Sequence, residues 1–159
     1  MIAYHGSTME IQRPDVLHSK RNLDFGMGFY VTSNKEQAER WAERKAMRFG
    51  GKPTVNLYEI RDYSAYNVKI FEGADEEWLK FVANCRNGAD IYKKYDAIAG
   101  KVANDDIFKC VNMYMDGYWN VERTLAEIKY YKNYEQTAFV AQNILDSVVV
   151  FEKSYEVTR

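Results

Sequence analysis

The stretch Asp24-Phe25-Gly26-Met27-Gly28-Phe29-Tyr30-Val31-Thr32-Ser33 decides the fold, because paired glycines lead directly into a short apolar segment. We predict a strand over Gly28–Thr32, with Gly28 and Tyr30 on the same face because side chains alternate along a strand. The two glycines allow the backbone to approach a flat ligand closely or to adopt a positive φ. Gly26-x-Gly28 alone is a weak indicator of a dinucleotide site, since it lacks a third glycine and enters a strand.

A helix follows this strand. Ser33-x-x-Glu36 has the pattern of a capping box, and the predicted helix continues to about Arg48 and ends at Gly50-Gly51. Trp41 lies about two turns into it, so its indole can return toward Tyr30. Two aromatic rings that converge in this way can hold a planar ring by stacking. The alternative is that both rings only pack the helix onto the sheet.

The chain begins with a second informative segment. Met1–His5 is predicted to form a short strand, which is followed by an irregular segment over Gly6–Leu23. His5-Gly6-Ser7 offers an imidazole, an open backbone and a hydroxyl in consecutive residues. This combination can bind a ribose hydroxyl and a carboxamide together. A purely structural hydrogen bond from His5 is the alternative.

The rest of the chain alternates between strands and helices of uneven length. Predicted strands cover Thr54–Arg61, Val68–Phe71, Tyr95–Ala99, Thr137–Val140 and Val148–Glu152; predicted helices cover Asp75–Asn87, Ile107–Met115 and Val121–Tyr130, with a turn or short helix over Gln142–Leu145. The pattern has no steady βαβ rhythm, which favours an α+β fold over a doubly wound sheet. We predict a single domain over residues 1–159, because this length suffices for one hydrophobic core.

Charge and cysteine content exclude several classes of function. The 22 basic and 23 acidic residues almost balance, whereas nucleic-acid binding calls for a concentrated basic surface. Cys85 and Cys110 lie in apolar helical patterns, as expected of buried, reduced thiols in a cytosolic protein. We find no signal-peptide pattern and no apolar run near the length of about 18 residues that a membrane span needs. We therefore expect a cytoplasmic protein that does not bind membranes.

These motifs resemble those of a known enzyme group. His5-Gly6-Ser7 is similar to the His-Gly-Ser/Thr motif of the poly(ADP-ribose) polymerase and diphtheria-toxin branch of ADP-ribosyltransferases. Gly26-Met27-Gly28-Phe29-Tyr30 resembles the Gly-x-Gly-aliphatic-Tyr strand of that branch. Trp41 stands where those enzymes place a second tyrosine over nicotinamide, and Ala38 stands where they carry a serine that binds the carboxamide.

A closer resemblance is to short bacterial and phage proteins long catalogued as a domain of unknown function and now grouped with ADP-ribosyltransferases. Tyr4-His5-Gly6-Ser7, Gln37-Ala38-x-x-Trp41, Tyr95-Asp96 with Gly100-x-Val102-Ala103-Asn104-Asp105, and Gln136-x-x-Phe139 resemble its pattern along nearly the whole chain. This resemblance implies an ADP-ribosyltransferase-like split β-sheet core with peripheral helices. It also implies NAD as a substrate and, since such genes often lie beside antitoxin-like genes, a toxin with a small antitoxin partner.

The resemblance also implies roles for individual residues in transferring ADP-ribose with release of nicotinamide. It assigns catalysis to His5, Tyr30 and Gln136, and NAD binding to His5, Gly6, Ser7, Gly28, Tyr30 and Trp41. Gln136 stands where the family carries a catalytic glutamate, and it bears no charge. Neighbouring Glu135 points to the opposite strand face. A carboxylate can instead come from Asp105 or Asp106, although Asn104 and Asp105 can equally cap a helix.

Two classes of function therefore stay open. One is an NAD-dependent mono-ADP-ribosyltransferase with an unidentified acceptor. The other is a catalytically weak or inactive module that binds NAD or another protein. The two classes share the aromatic site and differ at position 136.

Overall fold

The computed structural model describes residues 1–18 and 23–159, so positions 19–22 of the segment predicted to be irregular lie outside the described residues. The described strands are β1 (Ile2–Ser7), β2 (Phe29–Val31), β3 (Thr54–Ile60), β4 (Val68–Ile70), β5 (Ala97–Lys101), β6 (Glu135–Phe139) and β7 (Val149–Glu156). The described α-helices are α1 (Lys35–Phe49), α2 (Glu76–Arg86), α3 (Asp105–Met115), α4 (Val121–Ile128) and α5 (Gln142–Val148). The prediction of an α+β fold is confirmed.

The strands form two sheets. Sheet A has the order β1-β3-β7 and is antiparallel, whereas sheet B has the order β2-β6-β5-β4, in which only β4 and β5 are parallel. A bridge between Tyr4 and Thr32 joins the sheets. Its two backbone hydrogen bonds, Tyr4 N to Thr32 O and the reverse, measure 2.8 and 2.9 Å. The segments that carry the two N-terminal motifs therefore meet edge to edge.

Three clusters of buried side chains make up the core. The largest packs α2 and α3 against one face of sheet B and surrounds the fully buried Trp78. A second contains Phe29, Tyr58 and Phe139, and the edge-to-face contact of Phe29 with Tyr58 joins the two sheets. In the third, Ala38 and Ala42 of α1 pack on sheet A beside Val55. Since α1 touches sheet A through small side chains, it lies close to β1.

The N-terminus of α1 differs from the prediction by one residue. Its N-cap is Asn34, whose side chain accepts a hydrogen bond from the Gln37 backbone nitrogen. The predicted cap, Ser33, instead donates its backbone N–H (2.6 Å) and its hydroxyl to Glu135. The predicted capping box is therefore wrong, because Ser33 donates its hydrogen bonds to the carboxylate of Glu135, which is distant in sequence. The predicted end of the helix is confirmed, since Gly50 is its C-cap with φ of 80°.

Candidate functional site

His5 lies buried where the two sheets meet. Its Nδ1 is 2.6 Å from the carbonyl oxygen of Tyr30, and because a carbonyl only accepts hydrogen bonds, Nδ1 carries a proton. The imidazole also stacks on Phe29, with ring centroids 4.2 Å apart. Both contacts fix the orientation of the ring, so the chain brings His5 and the backbone of Tyr30 together as a rigid pair.

Gly6 and Ser7 follow His5 on β1. The backbone of Gly6 lies against α1, where an added Cβ would come within 2.2 Å of the Ala38 carbonyl oxygen. The Gly6 carbonyl accepts a hydrogen bond of 2.7 Å from Lys45 Nζ. Ser7 is only 3% exposed. The Gly6 carbonyl therefore has one of its two acceptor positions filled by Lys45.

Tyr30 points its ring into the core cluster of α2 and α3, where it is 7% exposed. Its hydroxyl donates to the Gly26 carbonyl (2.6 Å) and accepts from the Phe25 backbone nitrogen (3.0 Å). Burial, and secondarily the neighbouring Asp24, raise the pKa of Tyr30 well above its usual value. The side chain therefore stabilises the turn that precedes β2.

The two glycines of this turn have different roles. Gly26 has a φ of +80°, which a side chain would strain. Gly28 has an ordinary φ, but a Cβ there would lie 2.7 Å from the Phe139 carbonyl oxygen. Its lack of a side chain thus permits close packing against the end of β6.

Trp41 lines a cleft between α1 and the segment that joins β5 to α3. We call this the α1 cleft; its volume is about 160 Å³, and it is lined by Gln37, Arg40, Trp41, Arg44, Val102, Asn104, Asp105, Asp106 and Tyr134. The predicted residues Trp41, Asn104 and Asp105 thus lie together. Tyr30 does not belong to this lining, so the predicted sandwich of Tyr30 and Trp41 is not formed in this structure.

Two polar contacts cross the α1 cleft. Arg44 forms an ion pair with Asp105 at 2.8 Å, and Arg40 donates to the Tyr134 hydroxyl at 3.3 Å. The side chains of Arg44 and Asp105 are 55% and 70% exposed. Exposed pairs of this kind contribute at most about 1 kcal/mol, so the cleft opens at little cost. Asn104 caps α3 through the backbone nitrogen of Ile107, which confirms its predicted capping role.

Gln37 is a further residue of the cleft, and it is only 4% exposed. Its side-chain oxygen lies 3.5 Å from the Thr32 hydroxyl, at the limit of a hydrogen bond. Its amide nitrogen is buried and has no hydrogen-bond partner among residues 1–18 and 23–159. Such a donor costs about 1–3 kcal/mol when it is left unsatisfied. Gln37 is therefore a donor that a bound ligand can satisfy.

The residues predicted for the third catalytic position lie in different environments. The Glu135 carboxylate accepts hydrogen bonds from the backbone and hydroxyl of Ser33, and the Thr32 hydroxyl lies 3.2 Å from it. Gln136 is buried and donates its amide to Asp24 Oδ2 at 3.0 Å. The two side chains thus point apart, as strand alternation predicts. The partly exposed Glu135 is the carboxylate at the start of β6.

Asp24 is the centre of a buried polar network that also contains Arg86, Gln136 and the backbone of Ala103; we call it the Asp24 network. One carboxylate oxygen accepts from the Arg86 guanidinium, and the other accepts from the Ala103 nitrogen at 2.8 Å and from Gln136. The Arg86 guanidinium also lies 4.2 Å from the centre of the Phe108 ring. The network holds the segment that leads into the α1 cleft.

Comparison with known proteins identifies the family. Residues 1–150 match the model of a family described as "Protein of unknown function (DUF3990)". The chain belongs to this family. No curated protein and no solved structure matches it. The description of the DUF3990 family names no reaction, so the chemistry of the site follows from its geometry alone.

Sequence reasoning missed three residues of this DUF3990 site: Gln37, Tyr134 and Asp24 as a network centre. Gln37 precedes Trp41 by four residues, so helical spacing alone places both on one face. The roles of Tyr134 and Asp24 depend on contacts between distant segments, which no local pattern reveals. None of the helices in the described parts of the chain is long and apolar enough to cross a bilayer.

Proposed function

We propose that this protein is an NAD-dependent mono-ADP-ribosyltransferase. The observation that carries the proposal is the 2.6 Å contact between His5 Nδ1 and the Tyr30 carbonyl. It joins two motifs 25 residues apart, and they meet at the boundary between two sheets. A split pair of sheets with helices around it is the arrangement that the resemblance to ADP-ribosyltransferases implies.

The reaction breaks the bond between nicotinamide and ribose and transfers ADP-ribose to an acceptor nucleophile, which loses a proton. The transition state carries positive charge on the ribose, so a fixed negative group nearby stabilises it. Glu135 fits this role better than Gln136, because its carboxylate is oriented by Ser33 and Thr32 and is not part of the Asp24 network. Trp41 offers a face on which a nicotinamide ring can stack.

A regulatory partner forms part of the proposal. The resemblance stated above implies a toxin whose gene lies beside an antitoxin-like gene, so we include a small inhibitory protein as the partner. Tyr118, in the turn between α3 and α4, is 76% exposed, whereas Tyr114 and Trp119 pack against the core. Tyr118 is thus the most accessible of these three neighbouring aromatic residues. Co-purification from the native host, with and without Tyr118→Ala, tests this part.

Incubation of the purified protein with labelled NAD, alone and in cell lysate, tests the proposed reaction. We expect release of nicotinamide and label on an acceptor. Glu135→Gln should abolish both while leaving NAD binding in place, whereas His5→Ala should weaken NAD binding itself. Absence of nicotinamide release and of label on protein, nucleic acid and small molecules would overturn the proposal.

A second candidate is an inactive module that binds NAD or another protein. Two observations favour it: Gln136 is committed to Asp24, and Lys45 occupies the Gly6 carbonyl. Two measurements, of NAD binding and of nicotinamide release, distinguish the two candidates. The module binds NAD without releasing nicotinamide, and at a hundredfold excess over Kd binding stabilises the fold by about 2.7 kcal/mol.

A further inference from the structure

Gln37 and Trp41 lie on the same face of α1, because residues four apart in a helix are neighbours. Both line the α1 cleft. Ala38 is fully buried, and its backbone lies against Gly6 beside the Cβ of Trp41. The Gln37 amide therefore lies one turn from Trp41, toward the N-terminus of α1, on the same face.

The hydrogen-bonding capacity of Gln37 is largely unused. The Thr32 hydroxyl has one proton, and its nearest acceptor is the Glu135 carbonyl at 2.9 Å, whereas the Gln37 oxygen is at 3.5 Å. The Gln37 amide nitrogen has no partner within the described ranges. Buried polar groups are nearly always paired, and an exception calls for an explanation such as a missing ligand.

The ligand that fits this pair has two chemical properties. It needs a flat ring for the Trp41 indole and a hydrogen-bond acceptor, such as a carbonyl oxygen, for the Gln37 N–H. An aromatic carboxamide has both, and a cleft of about 160 Å³ accommodates one small ring with its substituent. The two contacts that cross the cleft, Arg40 with Tyr134 and Arg44 with Asp105, are exposed and can separate at little cost.

We propose that Gln37 is the specificity residue that donates a hydrogen bond to the carboxamide oxygen of a ring stacked on Trp41. The inference rests on the proposed function, in which nicotinamide is that carboxamide. In this arrangement the side chain of Gln37 on α1 recognises nicotinamide, the leaving group, whereas the Gly6 carbonyl accepts a hydrogen bond from Lys45.

The test compares two probes that share the pyridine ring: nicotinamide, and 3-methylpyridine, in which a methyl group replaces the carboxamide. Binding is followed by NMR titration of the Trp41 indole, assigned with Trp41→Phe. Wild type should bind nicotinamide about 3- to 10-fold more tightly, the ratio that one net hydrogen bond provides. Gln37→Met keeps the length of the side chain and removes the donor, so it should bind both probes equally and as weakly as wild type binds 3-methylpyridine.

Gln12→Met is the matched control, because Gln12 is exposed and lies outside the cleft; it should keep the wild-type preference. Gln37→Met should fold at least as stably as wild type, since it removes an unsatisfied donor. A retained preference for nicotinamide in Gln37→Met would overturn this inference and leave the proposed function intact. Failure of wild type to bind either NAD or nicotinamide would overturn both.

Discussion

The carbonyl oxygen of Ala38 lies 2.2 Å from the position that a Cβ atom would occupy on Gly6. The helix that carries Trp41 therefore rests on the bare backbone of the strand that carries His5. Any side chain at position 6 would force α1 and β1 apart, and it would change the distance between the α1 cleft and the junction of the sheets.

Gly6→Ala should therefore destabilise the fold by about 1–3 kcal/mol or more, because the methyl group meets backbone atoms of Ala38 and Ala42. Urea unfolding measures the effect. Gly73→Ala is the control: its Cβ would have no neighbour within 4 Å and its φ is not positive, so its stability should be unchanged or slightly higher. Equal stability of the two variants would contradict the close contact.

Asp24→Asn should destabilise the protein by about 3–5 kcal/mol, because it leaves the Arg86 charge without its partner in a buried setting. The side chain of Asp24 is 5% exposed in this pair. The exposed pair of Arg44 and Asp105 provides the control, and Asp105→Asn should cost less than about 1 kcal/mol. Chemical denaturation of both variants checks the difference, and similar losses would show that the Asp24 network is not structural.

Tyr30→Phe should cost about 1–3 kcal/mol, because the buried Phe25 N–H and Gly26 carbonyl lose their partner. It should also change the alkaline limb of the stability profile. The pKa of Tyr30 is raised in the fold, so the unfolded chain loses this proton first and stability falls as pH rises above about 10.

In Tyr30→Phe this fall should be less steep, which unfolding at pH 8 and above pH 10 will measure. The same change at the exposed Tyr118 should alter stability by less than about 0.5 kcal/mol. A profile of Tyr30→Phe parallel to that of wild type would argue against burial of the hydroxyl.

Gln136→Glu restores the residue type that the resemblance expects, but it should not restore a catalytic group. The Gln136 amide is 3.0 Å from Asp24 Oδ2, so a carboxyl there faces a like charge and burial, and both raise its pKa. A raised folded-state pKa means that stability present at low pH is lost as pH rises through it. The variant should thus be clearly less stable than wild type at pH 8 and approach it toward pH 4; a deficit independent of pH would contradict this placement.

Local sequence patterns predicted most elements of the fold. They failed where contacts with segments distant in sequence determine the ends of an element. The apolar stripe of Asp75–Asn87 predicted α2 within one residue at each end. β6 begins two residues before the predicted Thr137, because Glu135 and Gln136 pair with Lys101 and Gly100. β5 is displaced toward Lys101 for the same reason. Strand ends depend on the neighbouring strand, which a single sequence does not contain.

The candidate site was predictable to a similar degree. The sequence order of His5, Tyr30 and Trp41 indicated that their segments converge, and β1, β2 and α1 do lie together. The direction of the Tyr30 ring was not predictable, because alternation defines two faces without saying which one faces the core. Tyr30 pairs with Ala138 and shares its buried face. The unsatisfied Gln37 amide is visible only once every neighbour is in place.

Sheet A also determines where the chain can be shortened. β3 is its central strand, and residues Thr54–Leu57 pair with Lys153–Glu156 of β7. A chain that ends at residue 150 would lack these partners and Phe151, the partner of Tyr58, and most of β3 would become an open edge. Unpaired edges of this kind recruit strands from other molecules and lead to aggregation. Recombinant versions should therefore extend at least through Val157, whose backbone nitrogen bonds to the Pro53 carbonyl, if the protein is to stay monodisperse.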